Sequence, residues 1–87
     1  MALKPKVFTT SGAVTDGGIL IKMLEVTPAG GSLEDRILVG TDSDGTEQYR
    51  IRAQEVSEFR DFGDGIEISG PIYAYFYDGE GAITILT

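Results

Sequence analysis

Glycine-centred turn signals divide this chain into short segments and constrain its fold more than any other feature. Asp-Gly occurs at 16–17, 44–45, 64–65 and 78–79, and Gly-Gly at 17–18 and 30–31. Asp-Gly suits type I′ turns, in which both central residues have positive φ, and such turns connect antiparallel strands. The segments between these signals are rich in Ile, Val, Tyr, Phe and Thr, which favour strands. The sequence therefore predicts an all-β protein.

We predict seven or eight short strands with tight connections, which is typical of a small antiparallel β-sandwich or barrel. Their ranges are 6–10, 19–26, 35–40, 47–53, 56–62, 65–69, 71–78 and 82–87. Residues 53–62 also fit a short helix, with Ala53, Val56 and Phe59 on one face. Residues 1–5 and 11–18 have little to pack, so we expect residues 1–18 to form an extended N-terminal arm that orders on a partner, before a single β-sandwich domain over residues 19–87.

Composition excludes several kinds of chemistry. The chain has no Cys and no His, and therefore lacks disulfides, thiolate ligands and the commonest general base. Its formal net charge of −7 repels phosphates and anionic lipids, so we expect neither nucleic acid nor membrane as a partner. No apolar run approaches the roughly 20 residues of a membrane span, and we expect no secretory signal.

Two acidic clusters have alternative interpretations. They comprise Asp42, Asp44 and Glu47, and Asp61, Asp64 and Glu67. The first does not match an EF-hand loop, which leaves an irregular calcium site or, more simply, an acidic hairpin turn capped by its own side chains. Paired carboxylates in the second could act as acid and base on a glycoside, but short loops on so small a domain offer little depth for sugars. We expect no enzymatic activity and no cofactor.

The tyrosines near the C-terminus suggest a binding surface. In an extended strand Tyr73, Tyr75 and Tyr77 share one face, opposite Ile72, Ala74 and Phe76. They could border the core, contact another protein, or stack on a carbohydrate. Segment 19–26 is also largely apolar on both faces, more than a domain this small can bury alone. As protein-interface residues we name Lys4, Lys6, Val7, Phe8, Tyr73, Tyr75 and Tyr77.

The order of these segments resembles a group of small virion proteins of tailed bacteriophages. The resemblance covers residues 19–87, through I-L-I-K-M-L-E-V (19–26), R-I-L-V-G (36–40), T-D-S-D-G-T (41–46), F-R-D-F-G-D-G-I-E-I-S (59–69) and a closing hairpin S-G-P-I-Y-A-Y-F-Y-D-G-E-G-A-I-T-I-L (69–86). This chain departs from the group's hairpin pattern by inserting Pro71 and by carrying three tyrosines where one is expected.

Members of that group are small β-sandwich structural proteins, and many decorate or cement capsids. The resemblance implies a virion protein on the capsid surface, assembled in the cytoplasm of a host bacterium, that binds the major capsid protein and its own copies as a homotrimer. A second hypothesis is another virion component, such as a head–tail connector, tail or fibre-base subunit. A third, of another class, is a small carbohydrate- or calcium-binding module.

Overall fold

The computed structural model describes residues 5–87, and over this range the chain forms a six-stranded antiparallel sheet without helices. The strands are β1 (Pro5–Phe8), β2 (Gly12–Thr15), β3 (Ile19–Val39), β4 (Thr46–Gln54), β5 (Glu58–Ile68) and β6 (Ile72–Leu86). The predicted all-β class is confirmed, and the short helix considered over 53–62 is not formed. Within residues 5–87 there is no helix long and apolar enough to cross a membrane.

The strands are fewer and longer than predicted because several turn signals lie inside them. β3 pairs with β6 from Met23 opposite Leu86 to Val39 opposite Ile72, and the register shifts between Pro28 and Leu33. The Gly-Gly at 30–31 and the Asp-Gly at 78–79 lie at this shift and bend two continuous strands. The predicted closing hairpin of strands 71–78 and 82–87 was therefore wrong, since both segments belong to one bent strand, β6.

The bend divides the sheet into two parts that share β3 and β6. The first half-sheet contains β5, residues 19–28 of β3, residues 81–86 of β6, and β1. The second half-sheet contains β4, residues 33–39 of β3, residues 72–79 of β6, and β2. Buried residues of both halves belong to one hydrophobic cluster, which includes Ile21, Leu24, Ile37, Ile51 and Ile85.

Glycine is required where the two long strands come closest at the bend. Gly79 and Gly81 have φ of 93° and 151°, which L side chains rarely adopt. A Cβ at Gly79 would collide with the carbonyl oxygen of Ser32, and one at Gly81 with that of Thr27. These positions therefore allow β6 to stay paired with β3 through the bend.

Residues 5–8 and 12–15 are paired in the sheet, whereas residues 1–18 were predicted to form an extended arm; the strand predicted over 6–10 overlaps β1. β1 pairs with residues 83–86 and β2 with residues 72–74, so each lies beside one end of β6. Val14 is buried, Phe8 packs against the core, and the Ser11 hydroxyl accepts a hydrogen bond of 2.9 Å from the Phe76 N–H. The first four residues, including Lys4, lie outside the described range. Residues 5–15 are thus part of the sheet.

Candidate interaction surface

The side of the second half-sheet that faces away from the core carries tyrosine and arginine together. Cross-strand pairing places Arg50 opposite Arg36 and Arg36 opposite Tyr75, and places Leu38 opposite Tyr73 in the next row. Directly paired residues of neighbouring antiparallel strands project to the same face. We call this surface the tyrosine–arginine face: Glu34, Arg36, Leu38, Glu47, Arg50, Arg52, Tyr73, Tyr75 and Tyr77.

A β-bulge presents the third tyrosine. Glu34 pairs with Asp78 while the next residue of β3 pairs with Phe76, so Tyr77 is the extra residue on β6. Its side chain is 51% exposed, and its ring meets that of Tyr75 edge-on with centroids 6.1 Å apart. Tyr73 and Tyr75 are half-buried. All three predicted tyrosines therefore lie on or beside one accessible surface.

Arg36 lies at the centre of this face and connects its three strands. Its Nη2 and Nε atoms donate hydrogen bonds of 2.9 and 3.0 Å to Glu34, and its Nε lies 3.4 Å from a Glu47 oxygen. Its guanidinium carbon lies 3.5 Å from the centre of the Tyr77 ring. The hydrogen bond to Glu34 is the main cause that raises the pKa of Arg36 above its ordinary value. The guanidinium is thus held in a fixed, charged orientation beside the aromatic ring.

The two arginines of β4 are the more solvent-exposed arginines of the tyrosine–arginine face. The side chains of Arg50 and Arg52 are 55% and 52% exposed. Arg50 donates hydrogen bonds of 3.1 and 3.2 Å to Glu47, whereas Arg52 only approaches Glu34 at 3.9 Å, which is beyond hydrogen-bond distance. Three of the four arginines in a chain of net charge −7 therefore lie on this one face.

The opposite side of the same stretch of β3 holds a buried acid. Asp35 is fully buried and has the same inward orientation as Leu33 and Ile37. Among the described residues, neither of its carboxylate oxygens has a hydrogen-bond partner. Burial raises the pKa of Asp35 to about 7, because the charged form is poorly solvated in the core. This carboxylate has no counterpart among the predicted site residues.

The predicted interface residues on β1 lie apart from the tyrosines. Val7 is 61% exposed, Lys6 is also exposed, and Phe8 is half-buried against the core. They pair with residues 83–85 in the first half-sheet, whereas the tyrosines occupy residues 73–77 in the second. The structure therefore brings together only the tyrosine part of the predicted set.

Each acidic cluster contains a local hydrogen bond from a backbone N–H to an aspartate side chain, the first in the loop before β4 and the second within β5. Asp42 accepts hydrogen bonds from the Asp44 N–H at its side chain and from the Gly45 N–H at its carbonyl, at 2.9 and 3.1 Å. The Asp61 side chain accepts a hydrogen bond of 2.8 Å from the Gly63 N–H. Over residues 5–87 no group of three or more acids is arranged to hold a metal ion.

An open groove of about 650 Å³ follows the bend between β3 and β6. Its lining comprises Thr9, Thr10, Ser11, Thr27, Pro28, Ala29, Phe76, Gly79, Glu80, Gly81 and Ala82. Hydroxyl and apolar groups predominate, with Glu80 as the charged group of this lining. The groove therefore offers apolar contact and hydroxyl hydrogen bonds, but no pair of acids among these residues.

Residue alternation along β4 predicts part of the arginine cluster, but it does not predict how β4 pairs with β3. Arg50 and Arg52 are two apart, so both must lie on one face of β4. Pairing with β3 then adds Arg36 to the same face, and this pairing becomes known only from the structure.

No protein-family model matches the chain, and neither curated proteins nor solved structures include a significant match.

Proposed function

We propose that this chain is a structural protein that attaches to other protein chains through the tyrosine–arginine face. The observation that carries this proposal is the grouping of Tyr73, Tyr75 and Tyr77 with the clamped guanidinium of Arg36 on an accessible sheet surface. Tyrosine and arginine are enriched among the residues that contribute most to protein–protein binding. Tyrosine combines a large contact area with a polar tip, which suits a surface that is wet before binding.

Pre-organisation supports the same proposal. Arg36 is held by Glu34, Glu47 and the Tyr77 ring before any partner arrives. A side chain that is already ordered loses less conformational entropy when it binds, and its remaining N–H groups keep a fixed direction. A partner would therefore meet an ordered aromatic and cationic surface.

We further propose that the chain decorates or cements the capsid of a tailed bacteriophage, as a homotrimer bound to the major capsid protein. Support comes from the order of sequence segments within residues 19–87 and from the tyrosine–arginine face. The closing segment, the most distinctive part of that resemblance, is a bent strand in this structure and not a hairpin. The capsid assignment consequently depends on the order of the other segments and on the surface chemistry.

Binding to assembled shells tests this function. Light scattering after gel filtration should give three times the monomer mass, and the protein should co-sediment with shells of the major capsid protein encoded in the same genome. Hundreds of copies per shell would support decoration, whereas six or twelve would favour the neck or tail. A monomer that does not sediment with shells would contradict the capsid proposal.

Matched substitutions locate the interface. Tyr75→Ala should weaken shell binding by about tenfold or more, as expected for a central aromatic contact. Phe59→Ala is the control, because Phe59 is an aromatic residue of the first half-sheet with 46% exposure. Tyr49 is a poor control, since its ring packs on Phe62 at 5.0 Å and its loss would affect folding. Equal weakening by both alanine variants would show that the tyrosine–arginine face is not the specific contact.

A further inference from the structure

β4 is an edge strand of the second half-sheet, and two arginines lie near the middle of this strand. Among residues 5–87, β4 pairs with β3 alone, over Thr46–Gln54. An edge strand presents unpaired backbone N–H and C=O groups to which another extended chain can add. Arg50 and Arg52 project from this strand on the side of the tyrosine–arginine face.

The two arginines keep unused hydrogen-bonding capacity. Each guanidinium has five N–H donors. Arg50 uses one nitrogen for Glu47, and Arg52 approaches Glu34 only at 3.9 Å. Both side chains are more than half exposed. A carboxylate from outside could therefore accept bidentate hydrogen bonds here without breaking the pair between Arg36 and Glu34.

We infer that the partner contributes an acidic extended segment that adds along β4 and places carboxylates on Arg50 and Arg52. This inference rests on the proposed function, because it assigns the partner's chemistry at the tyrosine–arginine face. Side chains two residues apart on an added strand lie on one face, with the spacing of Arg50 and Arg52. A segment with an acid at every second position would place one carboxylate on each arginine. Its backbone would form hydrogen bonds with the unpaired N–H and C=O groups of β4.

Charge and backbone pairing argue against two other occupants. If a second copy added its own β4 in antiparallel orientation about Ile51, Arg50 of one copy would lie opposite Arg52 of the other. Like charges directly opposite each other destabilise strand pairing unless an acid lies between them, as Glu47 does for the facing Arg36 and Arg50. Nucleic acid would meet the two arginines, but it has no peptide backbone with which to pair with the N–H and C=O groups of the β4 edge. An acidic peptide segment has the complementary charge and the shape of the edge.

Nine-residue peptides of alternating Thr and Glu, with Gln and Lys versions, provide the probe. NMR titration of the labelled full-length protein would report both affinity and location. We expect the Glu peptide to bind about tenfold or more tightly than the Gln peptide, and to weaken as salt rises. Chemical shift changes should concentrate on residues 46–54.

Charge-neutral variants provide the control. The double variant Arg50→Gln and Arg52→Gln should lose the preference for the Glu peptide. Lys6→Gln, which also removes one positive charge, should keep it, because Lys6 is exposed on β1 and pairs with Ile85 in the first half-sheet, away from β4. The inference is overturned if the Glu and Gln peptides bind alike, if neither binds at millimolar concentration, or if Lys6→Gln has the same effect as the double variant.

The peptide and shell experiments separate the two proposals. If shells bind and Tyr75→Ala releases them but peptide charge has no effect, the acidic-segment inference fails and the proposed function stands. If the Glu peptide is preferred but no shell is bound, the capsid function fails and the specificity of the edge stands.

Discussion

Between Leu33 and Val39, each side of β3 carries a carboxylate, but among residues 5–87 only the one on the outward side has polar partners. Glu34 faces outward, is 9% exposed, and accepts two hydrogen bonds from Arg36. Asp35 faces inward, is fully buried, and has no hydrogen-bond partner among the described residues. Adjacent acids on one strand thus differ in whether their burial is compensated.

The difference shows that burial alone does not decide what a carboxylate does to stability. A buried charge is tolerated when opposite charge and hydrogen bonds replace its lost hydration, as at Glu34. Without such partners the group favours its neutral form, which is why the pKa of Asp35 is raised to about 7. The outward side of β3 should therefore respond to salt, and the inward side to pH.

The largest expected effect is the pH dependence due to Asp35. Its pKa rises from 3.8 in the unfolded chain to about 7 in the folded protein. Folding then binds a proton, so this group's contribution is most favourable below pH 4, declines as pH rises, and levels off above about pH 7. The expected loss between these limits is on the order of 4 kcal/mol.

Asp35→Asn isolates this contribution. Urea unfolding should give nearly equal free energies for wild type and variant near pH 4, and a variant more stable by several kcal/mol near pH 8. Asp64→Asn, at an exposed position on β5, controls for the loss of one negative charge. A difference between wild type and Asp35→Asn that stays constant from pH 4 to pH 8 would contradict the buried, unpaired carboxylate.

A smaller effect is expected on the outward side. Glu34→Gln removes the carboxylate that orients Arg36 and should lower Tm by about 5 °C, with a smaller decrease in high salt. Glu58→Gln breaks an ion pair with Arg60 whose side chains are 40% and 44% exposed, and should lower Tm by about 2 °C or less. Calorimetric melts of both variants measure the two decreases in Tm. Equal shifts would mean that the lower exposure of Glu34 is energetically irrelevant.

The Tyr77 ring beside Arg36 should contribute less to stability than Glu34. Tyr77→Leu keeps an apolar side chain but removes the cation–π contact at 3.5 Å, and should lower Tm by about 2–3 °C. A double-mutant cycle with Arg36→Met separates the energy of this contact from the effect of burying less apolar surface at residue 77. Additive effects of the two substitutions would show that the stacked geometry contributes nothing.

The sequence predicted the fold class but not the length of the strands. Runs rich in Ile, Val, Tyr, Phe and Thr identified extended segments such as 71–78, of which residues 72–78 lie in β6. Gly30–Gly31 and Asp78–Gly79 were interpreted as turns because they permit positive φ. A bend in a long strand needs the same backbone freedom, and only pairing with a distant segment decides between the two.

The candidate surface was predictable on one strand and unpredictable across strands. Tyr73, Tyr75 and Tyr77 share a face by alternation alone. Their association with Arg36 and Arg50 depends on register, which a one-residue shift would reverse. Asp35 was missed because apolar residues at 37, 38 and 39 leave the inward face of β3 ambiguous in the sequence.

The shared bent strands have a consequence for how the molecule comes apart. β3 and β6 each pass through both half-sheets, so separating the halves would mean cutting two strands within one hydrophobic cluster. Neither half can melt while the other keeps its backbone ladder intact. Despite its two-part outline, the chain should behave as one cooperative folding unit, with the slowest amide exchange of both halves reporting a single global opening.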